Sequence, residues 1–182
     1  MNNKIKIIAL FGEAGSGKDY LLNKIIHWDG EGVLEPIFNK VVKTTTRPKR
    51  EKEEDGIHYF FETVENFCAR RAENYITGVS EYRGWYYGID IRTIAEDKVN
   101  LVVLDVKQIR DLLTKDNVEL TLFKISASPK TRMLRQLNRE ENPDVDEINR
   151  RYRADKKEYA TIDFEYIELQ NETSQDADLA LL

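Results

Sequence analysis

Three residues set the first chemical expectation. Gly12, Gly17 and Lys18, within LFGEAGSGKDY (residues 10–20), satisfy the phosphate-loop spacing G-x-x-x-x-G-K. Glycines at that spacing let successive backbone N–H groups turn inward around an anion, and the lysine reaches the β and γ oxygens of a nucleoside triphosphate. The backbone from Gly12 through Glu13, Ala14, Gly15, Ser16 and Gly17 to Lys18 and Asp19 is therefore the expected ATP cradle. Asp19 stands where such loops normally carry serine or threonine. Its carboxylate is either a charged ligand for Mg²⁺, directly or through a metal-bound water, or a favourable charge at a helix N-terminus. Both readings keep a nucleotide site.

Two further sets of residues bear on the same chemistry. Asp105 closes the apolar run LVVLD, the position of a carboxylate that orients water on a nucleotide-bound metal. The alternative is an ordinary strand-end aspartate, but carboxylates rarely finish so apolar a run without a partner. Arg47 and Arg50 lie in the Pro-containing loop TTTRPKR, where two planar forked donors can clamp a second phosphate, with the Tyr59 hydroxyl as a further donor. Tyr87, in RGWYYG, suits a polar-tipped wall beside a small ligand.

Elements that could hold these residues follow from hydrophobic spacing. KIKIIALF reads as a strand, and YLLNKIIHW puts Leu21, Leu22, Ile25 and Ile26 on one helical face, so the loop joins strand to helix. Residues 40–46 and 57–61 read as extended, VENFCARRA as a helix, and ENYITGV as extended again. LVVLDV (101–106) is a continuous apolar run of the kind buried on both faces of a parallel sheet, and VELTLFKI is another. Ser128 and Pro129 open a helix over about KTRMLRQLNRE. Asp146 can cap a second helix running to about Tyr159, and DFEYIEL is a last strand. Strands alternating with helices predict an α/β fold with a central, mainly parallel sheet and ligands at the carboxyl ends of its strands.

Composition narrows the possible partners. The chain has 182 residues, 41% hydrophobic and 34% charged, which fits one domain with a substantial core. Lys+Arg 28 against Asp+Glu 33 gives a net charge of −5, without the basic excess of a nucleic-acid-binding protein. The single cysteine, Cys68, permits no intrachain disulfide and points to a cytoplasmic protein. The apolar run near the N-terminus is about six residues, too short for a signal-peptide core or a membrane span. His27 and His58 lack metal-ligand spacing, and Trp28 and Trp85 fit packing roles.

Thr45, Thr46, Arg47, Arg50, Glu53, Gly56, Tyr59 and Phe61, followed by Tyr86, Tyr87 and Gly88, resemble the acceptor motif of the guanylate kinase family. With the phosphate loop before them and LVVLD after, the resemblance covers nearly the whole chain. It implies a P-loop NTPase-type three-layer fold, with a core over about 1–39, 99–128 and 158–182. Small subdomains would bind the nucleoside monophosphate (about 40–98) and close as a lid (about 129–157). It also implies ATP as donor with Mg²⁺, and an acceptor phosphate bound by Arg47, Arg50 and Tyr59 with Tyr87 and Thr44 assisting. Arg135, Arg139 and Arg151 would be lid arginines closing over the ATP phosphates, and Asn171 would lie near adenine. The implied product chemistry is phosphorylation of GMP or dGMP by a monomer or dimer that engages neither nucleic acid nor membrane.

The resemblance also has gaps. The family's base-reading glutamate falls on Gly78, its second aspartate on Lys107, and two serines on Lys43 and Ile89. The phosphate half of the acceptor site is thus retained and the base-reading half changed. A kinase for other or more varied (deoxy)nucleoside monophosphates is one alternative, and a non-catalytic module holding a phosphorylated or acidic peptide is another. A kinase for a non-nucleotide phosphate or alcohol is the third.

Overall fold

The computed structural model describes residues 4–26, 37–51, 53–139 and 141–173; His27 and Trp28 lie outside them. In chain order the elements are β1 (Ile5–Phe11), α1 (Lys18–Ile26), β2 (Phe38–Lys40), β3 (Lys43–Thr45), β4 (Phe60–Phe61) and α2 (Val64–Ala72). There follow β5 (Ile76–Tyr82), β6 (Trp85–Asp90), β7 (Val99–Val103), α3 (Val106–Leu113), β8 (Val118–Ser126), α4 (Pro129–Leu137), α5 (Val145–Tyr159) and β9 (Ile167–Gln170). The fold is α/β, as expected. No helix among the described residues is long and apolar enough to cross a membrane.

The described residues fall into two compact units, one within Met1–Ile8 and Gly30–Leu120, the other within Ala9–Asp29 and Thr121–Leu182. In the first, β2 and β7 pair in parallel, with Asn39 opposite Asn100, and β1 is the next strand beyond β7. Asn100 is fully buried, and its amide is satisfied by the carbonyls of Lys6 and Ala95, the Ala95 N–H and Asn39. A second sheet in this unit has the order β4-β3-β6-β5. There β3 and β4 are parallel, whereas β6 runs antiparallel to both β3 and β5. The segment expected as a ligand wall, WYYGID, is therefore a central strand. Arg83 and Gly84, both at positive φ (54° and 78°), make the two-residue turn that joins β5 to β6.

Between Thr77 and Ser80 the β5–β6 register shifts, so that two residues oppose one. Gly78 carries the bulge at φ +57°, a conformation that a side chain would strain.

The run LVVLDV behaves differently from its sequence reading. The strand stops at Val103, and Asp105 becomes the N-cap of α3, a helix not expected there. Its cause is a capping box, in which Asp105 accepts from the Gln108 N–H and Gln108 returns a bond to the Asp105 backbone. Val106, Ile109 and Leu112 then bury one face.

In the second unit, β1 neighbours β8, and β8 pairs in parallel with β9. Phe11 packs against Tyr159, Phe164 and Tyr166 with ring centroids 5.6–6.2 Å apart. Ser128 caps α4 with Pro129 at its first turn, as expected. The cap of α5 is Asp144 rather than Asp146, its side chain accepting from Glu147 N. Asp144 takes the extended backbone of a cap (φ −72°, ψ 94°), and Asp146 sits inside the first turn, where it complements the helix dipole.

Candidate active site

The residues expected to hold the donor lie at the β1–α1 junction. Ile7, Ala9, Leu10 and Phe11 bury the strand, which fixes the loop that leaves it, and Leu21 and Leu22 bury the first turns of the helix that receives it. Gly15 sits at φ +81°, and an added Cβ would meet the Arg132 carbonyl oxygen at 2.6 Å, so the loop follows this path only with glycine. Lys18 begins α1 with its side chain largely covered. Asp19 is 79% exposed, its carboxylate 3.9 Å from the Lys18 ammonium.

Neighbouring residues hold this loop by its backbone. Arg135 donates to the carbonyls of Gly15 and Ser16 at 3.3 Å each. The buried Asn171 donates to Ser16 O at 2.8 Å, which gives it a loop-holding place in addition to the adenine-side place expected of it. Asp155 of α5 accepts from the Ala14 N–H at 2.6 Å, and Arg132 of α4 pairs with Glu13 at 3.1 Å. Burial pushes the Tyr159 hydroxyl well above its ordinary range, the charges of Asp155 and Glu158 adding to the shift and the nearby Gly12 N–H opposing it. Ser16 Oγ and Asn171 Oδ1 are buried without a hydrogen-bond partner.

The other expected lid arginines are placed less tightly. Arg151 donates to Glu147 one turn back on α5, and Arg139 lies exposed just beyond α4. Hydrogen bonds from Arg150, then Arg151, hold the Glu147 carboxyl down to about 2 against the effect of its burial.

The residues expected to hold the acceptor lie on and beside the β4-β3-β6-β5 sheet. Thr44 and Thr45 are fully buried on β3, and Thr44 Oγ1 has no partner. Thr45 accepts from the Arg47 N–H and donates to Tyr86 O, which ties the arginine loop to β6. Arg47 is 7% exposed. Its Nη2 donates to both oxygens of Glu53 at 2.7 and 2.9 Å, and its Nη1 to Pro48 O. The guanidinium lies 5.6 Å from the ring centroids of both Tyr59 and Phe61. Burial alone would weaken the charge of Arg47, but the hydrogen bonds and charge of Glu53 outweigh it and raise its pKa. Glu53 shifts the opposite way: burial opposes ionisation, and Arg47 with the Arg50 N–H prevails to lower its pKa. Arg50 is exposed, and Tyr59 meets Tyr87 edge to face at 6.1 Å.

The changed positions sit on this same unit. The Gly78 N–H donates to Asp111 and its carbonyl accepts from the buried Gln108. Lys43 donates to Gln108 at 3.3 Å, while Lys107 is exposed on α3. Asp105 accepts from Ser80 Oγ with one oxygen and from Gln108 N with the other. Among the described residues no three His, Cys, Asp or Glu side chains group closely enough to hold a metal ion.

Sequence reasoning missed Arg132, Glu53's clamp on Arg47, Ser80 and Asp155. Arg132 gave no local signal, because at helical spacing it shares a face with Arg135, Gln136 and Arg139 and reads as one more member of a basic face.

The glycine-built loop that joins β1 to α1, set in an α/β fold, is the signature of the P-loop class of nucleotide-binding proteins. The guanylate kinase profile matches residues 4–180. Guanylate kinase of Thermotoga maritima is 32% identical over 181 residues, covering 96% of this chain and 83% of that protein. Guanylate kinase of Mycoplasmoides gallisepticum is 31% identical over 166 residues, 88% of this chain and 82% of that one. The crystal structure of guanylate kinase from Anaplasma phagocytophilum superposes with a TM-score of 0.67 at 18% identity, over 98% of this chain and 84% of that one, which shows the shared fold. The chain belongs to the guanylate kinase family, a family of ATP-dependent nucleoside monophosphate kinases.

Proposed function

We propose that this protein transfers the γ-phosphoryl group of ATP to GMP or dGMP, as the names of its relatives suggest. The observation that carries the reading is the Arg47–Glu53 pair, buried and stacked on Tyr59 and Phe61. A buried guanidinium held in a fixed plane is a costly feature that suits recognition of a phosphate, with the exposed Arg50 and the hydroxyls of Tyr59 and Tyr87 as further donors.

No protein nucleophile is required. An oxygen of the acceptor phosphate forms the new bond to the γ-phosphorus, and the bond from that phosphorus to the β–γ bridging oxygen breaks, leaving ADP. The chain supplies positioning and positive charge. Lys18 and the N–H groups of the loop hold the donor phosphates, and Arg135, already seated on the Gly15 and Ser16 carbonyls, is the lid arginine nearest its working place. Arg139 and Arg151 would complete the charge neutralisation, Arg151 together with its partner Glu147.

Mg²⁺ would neutralise the polyphosphate charge. The exposed Asp19 carboxylate beside Lys18 fits a metal held chiefly by nucleotide and water oxygens, as Mg²⁺ prefers. Asp105, whose oxygens accept from Ser80 and Gln108 and keep a further lone pair each, would orient a metal-bound water. The reading places the enzyme in the cytoplasm as a monomer or dimer acting on small nucleotides, without nucleic acid or membrane.

The test is ADP release with ATP·Mg²⁺ against all common ribo- and deoxynucleoside monophosphates, with Arg47→Ala as control. Turnover confined to GMP and dGMP is the expected result. Turnover with another base alone would overturn the acceptor assignment, and absence of acceptor-dependent turnover would overturn the kinase reading.

A further inference from the structure

Glu13 and Ala14 of the phosphate loop are tied down from outside it, both by side chains that no motif singles out. Arg132, on the second turn of α4, is 4% exposed. It pairs with Glu13 at 3.1 Å, and its guanidinium carbon lies 5.1 Å from the ring centroid of Tyr152 on α5. Its backbone is the wall that Gly15 touches. One turn beyond Tyr152, Asp155 takes the Ala14 N–H at 2.6 Å. Thus α5 presents Tyr152 and Asp155 three residues apart on one face, one against the arginine that holds the loop and the other against the loop itself.

The chemistry of these ties limits what they can do. An N–H spent on Asp155 is not available to a phosphate, and a carboxylate placed beside the anion site repels an anion unless it is kept outside the cradle. A buried arginine paired with one carboxylate and stacked on one ring gains little net stability over apolar packing, and it becomes expensive once either partner is removed. What such a pair does supply is a fixed geometry. We infer that Arg132 and Asp155 are positioning residues for the donor phosphate. Acting through Glu13 and the Ala14 N–H, they set these two residues as a rigid shoulder, leaving the later loop amides and Lys18 to bind the nucleotide. They also couple the loop to α5, the helix that carries Arg151. This rests on the reading of residues 12–19 as the donor-nucleotide site.

The experiment measures dissociation constants for ADP and for GMP separately by calorimetry, with kcat and KM for both substrates, on wild type, Asp155→Ala, Asp155→Asn and the pair Glu13→Gln/Arg132→Met. Asp155→Ala leaves the Ala14 N–H orphaned, and the expected result is about tenfold weaker ADP binding. GMP binding should stay within about twofold of wild type, and Asp155→Asn, whose amide oxygen still accepts, should recover most of the loss. The double variant removes both buried charges together and should fold, with weakened ADP binding and unchanged GMP binding. Wild-type ADP affinity in Asp155→Ala, even with a lowered melting temperature, would overturn the inference. So would equal losses for ADP and GMP. A wild-type chain that binds ADP but phosphorylates no monophosphate would sink the proposed function and leave this inference to be judged on the ADP constants alone.

Discussion

The two proposed half-sites are built by opposite means. On the donor side the binding surface is backbone, shaped by glycines and fastened from behind by Arg132, Arg135, Asp155 and Asn171. On the acceptor side it is made of side chains, with Arg47 locked by Glu53 and two aromatic rings before any ligand arrives. A backbone site fails when its frame moves, whereas a side-chain site fails when one group is removed. The difference teaches where substitutions should be felt: the donor site through neighbours that never touch the nucleotide, the acceptor site through the contact residues themselves.

Replacing a contact side chain on each half gives the largest expected effects. Lys18→Met should lower kcat by about 100- to 1,000-fold, the scale for removing one preorganised charge donor, while leaving the GMP dissociation constant unchanged. Arg47→Ala should raise the KM for the monophosphate by about 100-fold with little change in that for ATP, because it deletes the clamp and strands Glu53. Steady-state kinetics with each substrate varied in turn checks both. If either variant weakened the two substrates equally, the separation of the half-sites would be lost.

A smaller effect separates holding from touching. Glu53→Gln keeps the side-chain shape but removes the charge that fixes Arg47, and should raise the monophosphate KM by about tenfold. Gly78→Ala tests the sheet beneath the acceptor site. At φ +57° the new side chain costs about 1–2 kcal/mol, and its Cβ lies 3.3 Å from Ile89 Cδ1. The melting temperature should fall by about 2–8 °C, measured by differential scanning calorimetry.

The smallest effect is in acid. Glu147 has its pKa depressed from 4.5 to about 2 by Arg150 and Arg151, and Glu53 is depressed by its own partners. A lowered carboxylate pKa gives stability that is fully present above the unfolded value and is lost as pH falls through the folded one. Glu147→Gln should therefore flatten the decline in stability between about pH 4.5 and pH 2, followed by urea titration, and leave stability above pH 6 on the wild-type slope.

Much of this was readable from spacing because some functions reside in local pattern. The loop joins a β-branched run to an amphipathic helix, and its glycines and lysine stand at fixed intervals, so β1, α1 and the loop between them needed no tertiary information. The cap of α4 was equally local. What failed depended on partners distant in sequence. Val106 reads as the end of an apolar strand until Gln108 closes the box with Asp105 and turns the chain into α3. Three-residue β2 has too few residues to show alternation, and β6 declares itself only through pairing with β3 and β5. Arg132 and Asp155 look like ordinary members of basic and mixed-charge helices. Their partners, Glu13 and the Ala14 N–H, lie more than a hundred residues away, as the separation of 141 between Ala14 and Asp155 shows.

Asp105 carries a final consequence for how this part of the chain can vary. The carboxylate that receives Ser80 is also the cap that starts α3, so one residue answers both to the bond with β5 and to helix initiation. Any replacement there is filtered first for its ability to start a helix, which favours serine, threonine and asparagine. Ser80, on β5, starts no helix. Sequence drift therefore meets less resistance at position 80 than at position 105.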